Sequence, residues 1–423
     1  MKKLFANRVL NNDTSDLDEV FKNSANPENI SFAGGFPDQH LFPDNDLKQA
    51  YRDAIEHDGQ GIFQYSSTQG LPALRQKIAD RMATHADVQV SADNVMMTQG
   101  GQQAIDLVAK LMLNHGDAMV VEGPTYMGAL AAFDTYEPTY YEIPVDDNGM
   151  NIRQLRKTLK AHPEIKLIYT IPDFHNPTGT TMSAKRSQAL VALANQYDAI
   201  ILEDSPYRDL RYSGQNIPAI KHYDTEGRVI FISSFSKILS PALRTGWIVA
   251  DDAIMHALVG LKSAIDVQSP NVTLAAINSY LYQHDIDDHV ATISTSYRIK
   301  RDAMLAALDQ YFPQNVHYTR PNGGFFIWVT LPEGIDAKTL LNDVVLPQAH
   351  VAYVPSTCKF ASSKVKNGFR LNFTSLNVET ITLGIKRLGH ILQPAPVIVP
   401  AASFAPPILT WPTHHATNRN NCD

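Results

Sequence analysis

The chain has 423 residues, 44% of them hydrophobic and 19% charged, with a formal net charge of −7. That fits a soluble globular protein of about two domains, and the absence of an apolar run of about 18 residues excludes a membrane-spanning helix. The acidic balance, without any basic block, argues against nucleic-acid partners, and two cysteines (Cys358, Cys422) in a chain this long point to a reducing compartment rather than a disulfide framework.

The opening MKKLFANRVLNNDTSD turns polar too early for a signal peptide, so the expected location is the cytoplasm. Residues 1–30 are weakly patterned and read as an arm with a short helix. FAGGFP follows, with paired glycines, Gly34 and Gly35, that allow close backbone approach or a plain turn. Residues 47–56 read as a helix stopped near Gly59, and Tyr65 lies in a polar loop, YSSTQG. Pro72 then opens a helix whose stripe of Leu71, Leu74, Ile78 and Met82 is a core face rather than a site.

From about residue 94 to 250 the pattern is strand, loop, helix, repeated. Strands are expected at 94–97, 118–121, 167–171, 199–202, 229–232 and 247–250, with helices such as 102–113 and 183–195 between them. Such alternation predicts a mainly parallel sheet covered on both faces, with any ligand beyond the carboxyl ends of the strands. The segments after successive strands are TQGGQ, which leads glycines into a helix, then EGPTY, PDFHNPTG and EDSPY. The fifth, SSFSKILSPALRTGW, carries Ser234, Ser236, Lys237 and Arg244. Any one of these reads readily as a solvated turn, and a lone loop lysine is ordinarily solvent-facing. Five polar deliveries to one edge are harder to explain that way. Together they suit a ligand with a phosphate and a carbonyl, the lysine forming a Schiff base while hydroxyls, an arginine and a helix N-terminus hold the phosphate.

Beyond about residue 275 the pattern changes to helices at 275–282 and 290–311, strands at 324–329, 351–355 and 369–373, and a closing helix at 383–392. Arg370, inside an apolar strand, needs an anionic partner: either a structural carboxylate or a substrate carboxylate gripped bidentately. The divisions are an arm (1–45) joining the small domain, a large domain (46–275), a small domain (276–393) and a proline-rich tail (394–423) expected to be disordered. His414-His415 in that tail reads as polar rather than as a metal site.

These motifs resemble the fold type I, class I/II aminotransferases, nearest the kynurenine/2-aminoadipate and aromatic branch. The resemblance covers roughly residues 28 to 392 and rests on FAGGFP, QYSSTQG, GGQQAIDL, EGPTY, PDFHNPTG, EDSPY, SSFSK with PALRTGW, NGGFFIW and FRLNF. It implies an α/β fold like aspartate aminotransferase, with a large domain whose mainly parallel sheet is sandwiched by helices, plus a smaller α+β domain. It also implies pyridoxal 5'-phosphate as cofactor, no metal, and a homodimer with shared active sites. Lys237 would carry the cofactor as a Schiff base and shuttle a proton, and Asp204 would pair with the pyridine nitrogen. Tyr207 and Asn176 would bond the ring's 3-oxygen, and Tyr126 would stack on the ring. Ser234, Ser236, Arg244 and the amides of Gly101 and Gln102 would hold the phosphate, with Tyr65 reaching the neighbouring subunit's. Arg370 would grip the substrate carboxylate, with Gly35 and Asn176 lining the same pocket.

The implied reaction is ping-pong transfer from an aromatic, 2-aminoadipate-like or branched-chain L-amino acid to a 2-oxo acid such as 2-oxoglutarate. The alternatives are a β-lyase on the same cofactor, or a cofactor-sensing regulator, which the short segment before FAGGFP disfavours. Two positions depart from the family: Gly101 stands where serine is common, and Val354-Pro355-Ser356 replaces a Val-Pro-Gly, leaving the loop at Cys358 undefined.

Overall fold

Fourteen strands appear in the computed structural model, which describes residues 4–10, 22 and 26–393. In chain order they are β1 (Ile30–Ser31), β2 (Val95–Thr98), β3 (Ala118–Gly123), β4 (Thr139–Asp146), β5 (Gly149–Met150), β6 (Leu167–Thr170) and β7 (Ile200–Asp204). There follow β8 (Val229–Ser234), β9 (Gly246–Val249), β10 (His317–Tyr318), β11 (Phe326–Thr330), β12 (Val351–Ala352), β13 (Val354–Pro355) and β14 (Gly368–Asn372). The 394–423 tail, with His414 and His415, and most of the expected arm lie outside the described residues.

The predicted alternation forms one eight-stranded sheet in the order β2-β9-β8-β7-β6-β3-β4-β5. Neighbours from β8 through β7, β6 and β3 to β4 pair in parallel. The central runs IILED and VIFISS lack a clean polar alternation because helices cover both faces. Ile168 and Ile201 pack with Leu190 and Leu193 of the helix Ala184–Tyr197 on one face. Tyr169 and Leu202 pack with Ile105 and Val108 of the helix Gly101–Met112 on the other. Leu74, Ile78 and Met82 are core, as their stripe predicts, and Leu71 sits just ahead of that helix's first turn.

Three features depart from expectation. The strand expected at 247–250 starts at Gly246 and pairs antiparallel with both β8 and β2, the one reversed strand inside the sheet. β4 was not expected: it lies near the sheet edge, its burial is irregular and Pro144 interrupts its pattern. The helix Asp252–Asp266 was also unforeseen.

The later part of the chain builds a second layer. The helices Ile286–Tyr311 and Val378–Leu392 pack together against a four-stranded antiparallel sheet, β10-β11-β14-β13. β1 pairs in parallel with β12, so FAGGFP runs from this layer across the carboxyl edge of the large sheet. No helix among the described residues is long and apolar enough to cross a membrane.

Candidate active site

Because β9 is reversed, its first residue meets the carboxyl ends of β2 and β8: Thr98 and Ser234 both pair with Gly246. The loops after β2, β3, β6, β7 and β8 therefore open at one edge, where a cavity of about 370 Å³ lies between the two layers. It is lined by Gly35, Gly101, Gln102, Tyr126, Asn176 and Asp204, and by Tyr207, Ser234, Ser236, Lys237, Arg244 and Arg370. Tyr65 stands apart, with 80% of its surface exposed.

One end of the cavity is an anion cradle. The helix Gly101–Met112 points its N-terminus into it, with free amides and the positive end of the helix dipole. Gly100 precedes it at φ +79°, and a Cβ there would fall 2.6 Å from Nη2 of Arg244. Glycine is thus required by backbone conformation and by the guanidinium, which donates to the Gln99 carbonyl at 3.1 Å and the Pro241 carbonyl at 3.3 Å. A Cβ on Gly101 would meet nothing within 4 Å, so the departure from serine removes a hydroxyl without reshaping the cradle. The side chain of Gln102 donates to the Gly128 carbonyl at 2.6 Å, leaving its backbone amide as the group it can offer.

The other end is a buried carboxylate. Asp204, last residue of β7, accepts from the Tyr169 hydroxyl at 2.7 Å. Burial, with Glu122 nearby, raises its pKa to about 7 against the Tyr169 hydrogen bond and the Lys237 charge, which lower it. Tyr169 was not singled out, because LIYT reads as core. The available signal was that a phenol in a fully buried strand needs an acceptor. Tyr126 and Tyr207 are held protonated by burial.

Between the two ends, Lys237 donates from Nζ to the Gly35 carbonyl at 2.8 Å. Burial first, then the Arg370 and Arg244 charges, lower its pKa to about 8. An amine in this state carries a far larger nucleophilic fraction at neutral pH than a surface lysine.

On the small-layer side, Arg370 of β14 pairs with no carboxylate among the described residues. It donates to Oδ1 of Asn176 at 2.9 Å and to the Ala33 carbonyl at 2.6 Å, lies 4.1 Å over the Phe326 ring, and leaves Nε unpartnered. None of the described carboxylates therefore serves as its structural partner, and the guanidinium is held by neutral acceptors, open to an anionic ligand. If Arg370 takes the substrate carboxylate, as the resemblance implies, Arg370→Ala is expected to raise the KM for amino acids by about 10- to 100-fold, the worth of a charge-assisted pair, with a smaller effect on cofactor affinity. Steady-state kinetics with cofactor titration separates the two. Ser356, in the family's glycine position, is buried and ties its loop by donating to the Val365 carbonyl at 2.8 Å.

Amine, buried carboxylate and anion cradle converge on a space suited to a phosphorylated aromatic aldehyde. The orphaned Nε of Arg370 and the empty volume before Gly101 give this donor set room for such a group and its substrate. An α/β scaffold presenting that set at its carboxyl edge defines a fold type I enzyme. The family model for aminotransferase class I and II matches residues 30–388. The chain is 41% identical to aromatic-amino-acid aminotransferase 1 of Thermococcus litoralis over 93% of this chain and 94% of that protein. It is 33% identical to 2-aminoadipate transaminase of Thermus thermophilus over 90% and 94%. The crystal structure of Pyrococcus horikoshii kynurenine aminotransferase, in complex with PMP, superposes with a TM-score of 0.88 at 38% identity, covering 92% of this chain and 97% of that one. The chain belongs to the class I and II aminotransferase family. It is a transaminase, and its cofactor is pyridoxal 5'-phosphate.

Proposed function

We propose that the protein moves an amino group from an aromatic, 2-aminoadipate-like or branched-chain L-amino acid to a 2-oxo acid such as 2-oxoglutarate, by a ping-pong exchange. The observation that carries this reading is one cavity holding the Lys237 amine, the Asp204 carboxylate and an Arg370 guanidinium paired with no carboxylate among the described residues. The donor classes follow relatives named for aromatic amino acids and 2-aminoadipate.

When bound, pyridoxal phosphate supplies an aldehyde for imine exchange and a ring that withdraws electrons from the substrate Cα. Ser234, Ser236, Arg244 and the Gly101 and Gln102 amides would hold its phosphate, and Tyr126 would cover a ring face. Asp204 would hold a proton on the ring nitrogen, while Asn176 and Tyr207 would steady the oxygen at the ring's other side. Arg370 and the FAGGFP backbone at Gly35 would orient the substrate carboxylate, and Nζ of Lys237 would take the Cα proton and return it across the exchange.

The arm, the large domain (46–275) and the small domain (276–393) would then act as the supports of one cleft. A homodimer in the cytoplasm is the expected working unit. Exposed Phe63, Tyr65 and Val267 flank the contact between the Ser66 amide and the Gln268 side chain, forming an apolar face that a second subunit can cover. Tyr65 would cross there to the partner's phosphate site.

A panel of amino donors with 2-oxoglutarate, followed as glutamate formed, tests the reading. Expected is turnover with aromatic or 2-aminoadipate-like donors. Pyruvate release without glutamate would mark a β-lyase instead.

A further inference from the structure

We propose that Lys359 is a specificity-determining residue that reads a second carboxylate on the substrate, biasing the site toward dicarboxylic amino donors and acceptors; this rests on the aminotransferase reading above. Lys359 is 0% exposed, and its Nζ has no hydrogen-bond partner among the described residues. An unpaired buried ammonium costs several kcal/mol, so such a lysine either stays neutral or awaits an anion.

Its surroundings favour the anion. The Lys359 carbonyl accepts from the Thr125 amide at 2.7 Å, and Thr125 immediately precedes Tyr126 and Met127, which line the cavity. Cys358, just before Lys359, packs with Met127 and Ala33, again cavity-lining residues. Lys359 therefore stands one layer behind the wall, and part of that wall is methionine, the most easily rearranged apolar side chain. The hydroxyl of Thr125 is buried there without a partner too.

Burial first, then the nearby Arg370 guanidinium, hold the pKa of Lys359 well below that of a free lysine. An unpartnered amine near the Arg370 guanidinium, with no carboxylate among the described residues paired to either, matches a ligand bearing two acid groups. A monocarboxylic substrate satisfies Arg370 alone. A dicarboxylic one brings a second anion, and neutral Lys359 takes up one proton to meet it.

The test uses the cofactor-loaded enzyme and Lys359→Met, which removes the amine at similar volume. With one common donor, kcat/KM for 2-oxoglutarate is expected to fall about 10- to 100-fold, while that for pyruvate stays within about threefold. Glutarate and butyrate, both unreactive, are titrated calorimetrically at pH 8 in two buffers of different ionisation enthalpy. Proton uptake should accompany glutarate in the wild type, be absent in Lys359→Met, and not accompany butyrate. An equal loss for both acceptors, or identical proton uptake by both proteins, overturns the role. If the wild type transfers amino groups to no 2-oxo acid at all, the transaminase reading fails instead, and the glutarate titration still decides on Lys359.

Discussion

Replacing Lys237 by alanine is expected to lower turnover by about 10³-fold or more, with the fold intact. General acid–base transfer alone contributes roughly 10²- to 10⁴-fold, and in the proposed role this lysine would also supply the nucleophilic amine. Among the described residues its Nζ makes a single hydrogen bond, to the Gly35 carbonyl, so removing it deletes little that holds the structure. Single-turnover kinetics should show the slow step moving to proton transfer at Cα, and millimolar methylamine should restore part of the rate by supplying the missing base. A variant that turns over amino donors at the wild-type rate would sink the assignment.

Asp204→Asn should have opposite effects on function and stability. If Asp204 pairs with a protonated ring nitrogen as proposed, losing its buried negative charge should weaken cofactor affinity by roughly 10²- to 10³-fold, as breaking a buried pair costs about 3–5 kcal/mol. Stability of the cofactor-free protein should move the other way. The folded pKa of Asp204, about 7, lies above its ordinary value of 3.8. Between those two pH values the folded state retains a proton that the unfolded chain has released, so stability falls as pH rises through the window and the full penalty stands above it. Asparagine cannot ionise and carries no such penalty. Thermal denaturation of the cofactor-free proteins should find Asp204→Asn more stable than wild type at pH 8, by a few kcal/mol at most, and nearly equal at pH 4. Glu203, also raised to about 7 by burial, gives both proteins a common slope, so the difference between them is the readout. A variant equally destabilised at both pH values would contradict this account.

The cavity was legible where chemistry sits directly after a strand. Lys237, Asp204, Asn176 and Tyr126 each follow a short apolar run that reads as a buried strand, and the topology of the sheet brings them to one edge. Residues whose role depends on what lies across the sheet were not legible. Tyr169 looks like packing until β7 places Asp204 beside it, and the reversal of β9 leaves no trace in a four-residue apolar run. Arg370 was recognisable as a charge in need of a partner, but only the tertiary contacts show that its partners are a carbonyl and an amide. Nothing in the sequence marks Lys359, because burial of a loop is set by what packs over it, here the segment from Gly123 to Thr125 and the cluster around Cys358. Tyr65 lies on the surface of the single chain, and its proposed role needs a second copy.

The reversed strand also acts as a ruler. Ser234 and Gly246 are paired across β8 and β9, so the chain between them leaves the sheet and returns with both ends pinned. Lys237 lies on the outward limb of this excursion and Arg244 on its return. The separation between the Lys237 amine and the Arg244 guanidinium is therefore set by the length of one clamped loop, not by the relative position of two domains. Opening or closing of the small layer can move Arg370 without altering that measure. Insertions or deletions between residues 235 and 245 should be tolerated far less than equal changes in the exposed stretch 213–216.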